Sequence, residues 1–404
     1  MLRHIRSLNF GLMEAHQCFR LIPTNPISVS AQTLSSLPLH NIPSHVRAMV
    51  IGCLTRGFTS DAEGEYQIDE AKRISEVDGL SEYNKLVAVE DYTRDAVLAL
   101  LLASCPEVTS LELDVDFIHD TLTGDLLRTA QVQPTAFRHL GEVSLILQPG
   151  LPAMQTMGLI LRLPALHTFR GQHVDLMRPT RPSPRYSSTV RRIYLSASSV
   201  RPDYWETFLT SCPALEVLCL DWHDLWAEVY TGLMTNTLPS FSWPMLGEPL
   251  RNMNQLHTFA LTTGSNDAKG WARFCLGDSM GSLAILPLKQ LDVPMEALFG
   301  CLSKDNLPAA LVDILPCTLE ALTISDDMEL HDKNDHMCER LHQLMSDDQF
   351  RALSVISLSQ NHPLSSNYIP NGWTQAADAA RRPEWLMDRR HEEPLLVVRR
   401  TQTV

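Results

Sequence analysis

Hydrophobic residues recur along this chain as a short triplet: apolar, two residues, apolar, one residue, apolar. It reads Val108-Leu111-Leu113, Leu140-Val143-Leu145, Val190-Ile193-Leu195, Leu215-Leu218-Leu220, Leu256-Phe259-Leu261, Leu288-Leu291-Val293, Leu319-Leu322-Ile324 and Leu353-Ile356-Leu358. Leu166-Phe169-Gly171 is a weaker copy, and Ile5-Leu8-Phe10 is another near the N-terminus. The second and third positions are two apart, so on a strand they share one face, and the residue between them points to the other. That residue is often polar, as in Glu112, Ser144, Tyr194, Thr323 and Ser357. The pattern predicts strands with one buried face and one solvent-facing face.

The triplets start at 108, 140, 166, 190, 215, 256, 288, 319 and 353, at intervals of 24 to 41 residues. Leucine-rich repeats of one strand plus a helix or irregular turn usually run about 20–29 residues, so the array is irregular and carries insertions. Helical stretches precede several strands. Ala96–Ser104 runs into Cys105-Pro106, Tyr204–Ser211 into Cys212-Pro213, and Leu311–Leu315 into Pro316. Proline disfavours α geometry in the residue before it and so ends each helix. The Ser-Cys-Pro element stands twice at the same offset from its strand. A doubly wound sheet is buried on both faces and needs continuous apolar strands, which the polar alternate positions do not provide. The expected fold is α/β: an irregular leucine-rich-repeat-like solenoid with a curved, mostly parallel sheet and helices on its convex side. The expected divisions are a repeat-like or capping segment 1–58, an acidic insertion or linker 59–82, the solenoid 83–361 and a C-terminal capping segment 362–404.

Composition narrows the function classes. The chain has 404 residues, with 33 basic against 47 acidic side chains and a net charge of −14. Nucleic-acid binding needs a basic face to neutralise phosphates, so neither nucleic acid nor an anionic membrane is expected as a partner. The 9 cysteines include no CxxC pair, which points to reduced thiols in a cytoplasmic or nuclear protein. Charges interrupt the N-terminal apolar residues, and no apolar run reaches the ~18 residues of a membrane span.

The units at 96–113 and 204–220, and the stretch Leu288–Ile324, resemble the leucine-rich-repeat region of fungal F-box proteins. The resemblance covers roughly 90–360. It implies a substrate-capturing repeat surface and, as an alternative function, the substrate-recognition subunit of an SCF-type ubiquitin ligase joined to a Skp1-type adaptor. The F-box itself is not seen: residues 1–50 show no Leu-Pro start followed by three short helices, and residues 1–10 read as a repeat strand.

Other constellations carry residue types used in chemistry. Gly277-Asp278-Ser279-Met280-Gly281 matches the GxSxG nucleophile elbow of serine hydrolases, which requires a strand before the serine and a helix after it. Only six residues, including Pro287, separate Gly281 from Leu288, which leaves little room for that helix. His331, His336, Cys338 and His342, with Asp332, Asp335 and Glu339, are zinc-ligand types without a second paired element. They read as a solvated acidic loop leading into a helix. Trp222, His223, Asp224 and Trp226 read as packing on a helical turn. Residues 176–189 carry three prolines with Arg178, Arg181 and Arg185, a flexible loop in which Ser183 precedes Pro184 as a candidate phosphorylation site. No P-loop or dinucleotide fingerprint is present. No cofactor, metal or catalytic residue is expected.

What remains is a protein-binding module that is not an enzyme. Stacked parallel strands would present the residues between the buried positions on one concave surface. The candidate partner-binding residues are Glu112, Asp114, Arg170, Gln172, Arg192, Tyr194, Asp221, Thr258, Asp292, Thr323 and Ser357. Tyr194 and Arg192 are the expected anchors, because aromatic and arginine side chains dominate interface energetics.

Overall fold

The structure is a computed structural model. It describes residues 7–10, 19–22, 27–29, 108–114, 127–128, 131, 137–147, 153–176, 188–200, 204–222, 243–263, 278–300, 310–325, 334–359, 366–376 and 395–401. The chain is α/β, with strands that are mostly parallel and short helices between them. It divides into two compact units, residues 1–148 with 155–169 and residues 149–154 with 170–404. The stretch 83–361, expected as one array, is therefore shared between the units.

In the first unit, β1 (Ser7–Phe10), β4 (Ser110–Asp114) and β5 (Glu142–Ile146) run parallel and adjacent. The triplets set the register: Leu8 pairs with Leu111 and Leu111 with Val143, while Phe10 pairs with Leu113 and Leu113 with Leu145. The N-terminal triplet thus joins the series beside the triplet at Val108. β2 (Phe19–Ile22) and β3 (Ile27–Val29) extend it antiparallel beyond β1. Most of α1 (Met154–Ile160) also lies here, with Met157, Leu159 and Ile160 buried. The chain passes to the second unit within β6 (Thr168–Gln172).

The second unit contains β8 (Arg192–Val200), β9 (Val217–Trp222), β10 (Thr258–Thr263), β11 (Gln290–Pro294), β12 (Ala321–Ser325) and β13 (Val355–Ser359). Each pairs in parallel with the next in sequence order. The short β7 (Asp175–Leu176) pairs with the end of β8. The parallel run stops at β13, because β15 (Leu395–Arg400) pairs with it antiparallel and β14 (Trp373–Gln375) pairs with β15. Trp373 is buried, donates from Nε1 to the Met345 carbonyl at 3.2 Å, and has the Arg400 guanidinium 5.0 Å from its ring centroid. A short antiparallel pair at the end keeps the last parallel strand from presenting an open edge.

Every residue of the eight full triplets is at most 1 % exposed. In the second unit the register stacks them into rows. One runs through Ile193, Leu218, Phe259, Leu291, Leu322 and Ile356; in the other, Leu195, Leu220 and Leu261 pair in turn, as do Val293, Ile324 and Leu358. Full burial of one such side chain contributes roughly 1.5–3 kcal/mol, so these rows dominate the core. The helices add α2 (Trp205–Thr210) with Trp205, Phe208 and Leu209 buried, and α3 (Trp243–Leu250) with Trp243, Leu246 and Leu250 buried. α4 (Met295–Phe299) and α5 (Leu311–Ile314) are single turns. α6 (Asn334–Ser346) buries Met337, Cys338, Leu341, Leu344 and Met345 while Glu339, His342 and Gln343 stay exposed, an amphipathic spacing of three and four.

The expected helix stops fall where proline puts them. α2 ends at Thr210, before Ser211-Cys212-Pro213, and α5 ends at Ile314, before Leu315-Pro316. At the end of α2 the hydroxyls of Thr210 and Ser211 donate to the carbonyls of Glu206 and Thr207, each at 2.7 Å, and the Thr207 carbonyl also accepts from the Ser211 N–H at 3.2 Å. A tight turn then leads into several of the strands. The Leu215 N–H donates to the Cys212 carbonyl, Leu256 to Met253, Leu319 to Pro316 and Leu353 to Phe350, each at 3.1 Å. Past the turn, neighbouring strands are stitched by shared carbonyls. Glu216 accepts from the N–H groups of His257 (2.8 Å) and Thr258 (3.1 Å), His257 from Lys289 (2.7 Å) and Gln290 (3.0 Å), and Lys289 from Glu320 (2.8 Å) and Ala321 (3.0 Å). In the first unit the Gly141 carbonyl accepts from His167 and Thr168 in the same way.

Candidate partner-binding face

The residues opposite the core form two rows across the second unit. The middle row is Tyr194, Cys219, Ala260, Asp292, Thr323, Ser357 and Val397. The row nearer the strand starts is Arg192, Val217, Thr258, Gln290, Ala321, Val355 and Arg399. Strand parity therefore brings Arg192, Tyr194, Thr258, Asp292, Thr323 and Ser357 to one face, as their sequence positions require.

The middle row is less open than its polar residues suggest. Tyr194, Asp292 and Thr323 are half-buried, but Cys219, Ala260, Ser357 and Val397 are buried. The expectation of a solvent-facing position does not hold for Ser357. Arg170 and Gln172 are also half-buried, and the Arg170 guanidinium carbon lies 4.5 Å from the Tyr194 ring centroid. Such a stack holds both side chains in one geometry. Burial pushes the Cys219 thiol well above the ordinary thiol range; the Asp292 carboxylate pushes it further the same way, and Arg170 opposes them.

Asp221 is corrected more sharply. It is 6 % exposed, and its carboxylate accepts hydrogen bonds from the Thr262 hydroxyl at 2.8 Å and from the Ala197 N–H at 3.1 Å. These bonds hold a bulge in β8, where the register with β9 shifts between Leu195 and Ser198 and Ala197 has φ +44°. The Ser198 hydroxyl donates to the Ser196 carbonyl at 2.8 Å and accepts from the Val174 N–H at 3.0 Å. Asp221 is thus spent inside the fold, and a partner meets none of its carboxylate.

The row at the strand starts is the accessible one. Arg192, Gln290 and Arg399 are exposed, and Val217, Thr258, Ala321 and Val355 are half-buried. The Thr258 hydroxyl lies 3.5 Å from Gln290 Oε1. Arg192 and Thr258 are expected from the sequence pattern; Val217, Gln290, Ala321, Val355 and Arg399 join them in the structure. The parity of the triplets alone would have found Val217, Gln290, Ala321 and Val355, since each stands one residue before a buried second position. Beyond this row, surface ion pairs join Arg191 to Glu216 at 3.2 Å and Lys289 to Glu320 at 3.0 Å. In the first unit Glu112 is half-buried and lies in register between Asn9 and Ser144, and Asp114 ends β4 opposite Ile146.

The chemical constellations resolve differently. Residues 278–289 contain neither helix nor strand, so no helix follows Ser279 and no nucleophile elbow is built there. The segment is instead packed into the fold. Met280 is buried, its N–H donates to the Ala297 carbonyl at 2.8 Å, and its own carbonyl accepts from Arg251 Nη1 at 3.0 Å. On α6, Cys338 is buried while His342 is exposed and donates from Nδ1 to the Tyr368 carbonyl at 2.9 Å. Among the described residues no three potential metal ligands converge. Trp222 ends strand β9 and is not on a helical turn. The acidic stretch 59–82, the first Ser-Cys-Pro element, residues 177–187 with Ser183, His223–Trp226 and His331 lie outside the described residues. No helix of the described residues is long and apolar enough to cross a membrane. No protein-family model matches this sequence, and a comparison with curated proteins gives no match.

Proposed function

We propose that this chain is a leucine-rich-repeat-like solenoid serving as a non-enzymatic protein-binding scaffold, and that its partner lies across the outward face of the strands in the second unit. The observation that carries this reading is the register. Six parallel strands in sequence order keep one face filled by triplet residues and bring the alternate residues into continuous rows on the other. A surface of aligned side chains on a rigid scaffold suits recognition of an extended partner. Tyr194 anchors one end of the middle row, pre-ordered by Arg170, with Arg192 two residues away on the same face. An ordered aromatic loses little freedom on binding.

The test compares the wild-type chain with the double variant Arg192→Ala, Tyr194→Ala as bait in extracts of the native host, with quantitative mass spectrometry. The variant is first checked for an unchanged melting temperature. At least one protein retained by the wild type should be lost or reduced about tenfold by the variant. Identical sets of captured proteins would refute this face as the binding surface.

A further inference from the structure

Resting on that reading, we infer that the partner presents an extended segment with an acidic residue near each end and an uncharged stretch between, laid along the row from Arg192 to Arg399. The row has a cation at each end and none within it: Val217, Thr258 and Val355 are among its inner members. Among the described residues neither Arg192 nor Arg399 makes an ion pair, although Arg191 and Lys289 on the adjoining rim are both paired. In a chain of net charge −14, two exposed arginines left to solvent on one row are the local exception to the overall field, and they attract the opposite charge.

Spacing sets the length of the segment. Arg192 and Arg399 lie on strands six steps apart, and neighbouring strands are about 4.8 Å apart, so the two ends are roughly 29 Å apart. An extended chain advances about 3.3 Å per residue and covers this in about nine residues. The open strip is one residue wide, between the ion-paired rim and the partly buried middle row. It suits a single extended chain; a helix with its side chains is about 10 Å across. Charges placed over Val217 or Val355 would be desolvated without a counter-ion, which is why the acidic residues belong at the ends.

The experiment is selection of a random twelve-residue phage-displayed peptide library on the full chain, followed by fluorescence anisotropy with the enriched peptides. Enriched peptides should carry Asp or Glu at two positions eight to ten residues apart. Their affinity should fall about tenfold or more in the variant Arg192→Glu, Arg399→Glu, and should fall with added salt. A second variant, Thr258→Arg, blocks the middle of the row whatever the chemistry of the peptide. Peptides that lose binding to Thr258→Arg but lack the acidic pair would overturn this inference and leave the binding face standing. Peptides indifferent to both variants, or no enrichment, would overturn both.

Discussion

The carboxylate of Asp221 on β9 accepts a hydrogen bond from the hydroxyl of Thr262 on β10, 2.8 Å away and buried on both sides. The other carboxylate oxygen receives the Ala197 N–H from β8, so one side chain ties three strands. Removing one partner of a buried bond leaves the other unsatisfied and costs about 1–3 kcal/mol, more where a charge is involved. Asp221→Ala should therefore lower unfolding free energy by about 2–4 kcal/mol. Thr262→Val removes a single donor and should cost less, about 1–2 kcal/mol. Urea unfolding of the two single variants checks the order; a larger loss for Thr262→Val would contradict it.

The bulge that Asp221 holds contains a residue that glycine should replace at little or no cost. Ala197 sits at φ +44°, where a β-carbon crowds the backbone and glycine does not. Ala197→Gly relieves that strain and keeps the N–H that Asp221 accepts, but it also frees the unfolded chain. The balance predicts a change within about 1 kcal/mol of zero, and most other core alanines replaced by glycine should lose more. Ala297→Gly, in buried α4, is the control, and matching losses at the two sites would argue against strain at Ala197.

Gly247 in α3 permits the close approach of the segment around Ser279. A β-carbon on Gly247 would collide with the Met280 carbonyl oxygen, which is backbone and already held by Arg251. The neighbour cannot rotate away, so Gly247→Ala should destabilise by about 2–4 kcal/mol despite the better helix propensity of alanine. Ser279→Ala gives up only the bond its hydroxyl accepts from the Gly281 N–H at 3.3 Å and should lower the melting temperature far less. A melting series on the two variants separates these outcomes.

The thiols give a prediction with a pH sign. Burial pushes Cys212 from the ordinary 9.0 up to about 12, partly offset by a hydrogen bond with Ser188, and Cys219 rises further still. A group whose folded value lies above its unfolded value binds its proton more tightly when folded. Its contribution is complete below pH 9.0 and is lost as pH climbs toward 12. Stability should therefore fall above pH 9 more steeply in the wild type than in a Cys212→Ala, Cys219→Ala variant, as measured by urea midpoints from pH 7 to 11. At pH 8, alkylation followed by peptide mapping should mark exposed Cys317 and leave Cys212 and Cys219 unmodified until the chain unfolds.

The sequence carried much of this architecture and less of its surface. Strand positions were legible because the triplets have no other consistent geometry: one face must hold Leu218 and Leu220, and the other Cys219. Helix ends were legible because proline acts locally, at Pro213 and Pro316. What could not be read is which outward positions are covered, since that depends on the rest of the fold, and Cys219 and Ser357 are buried while Arg192 is not. Asp221 looked like a surface carboxylate because its partners, Ala197 and Thr262, are far from it in sequence. The run Ser196-Ala197-Ser198, small residues where a strand usually places bulk, was the available sign of the bulge. The antiparallel close by β15 was missed for another reason: Leu395–Val398 has the same apolar character whichever direction it runs.

Among the described residues of the second unit, the shared carbonyls at the strand starts fix one end of the strand pairs from β8 to β13. Two N–H groups bind one oxygen at Glu216, His257 and Lys289, whatever length of chain lies between successive strands. Residues added within those connections change neither this seam nor the pairing of the triplets. The chain can therefore vary the arcs between its strands while the seam preserves alignment, as the spread of 24 to 41 residues between triplets records. Diversification has a built-in side, and the row of side chains beside the seam is the part of the surface that such variation leaves in place.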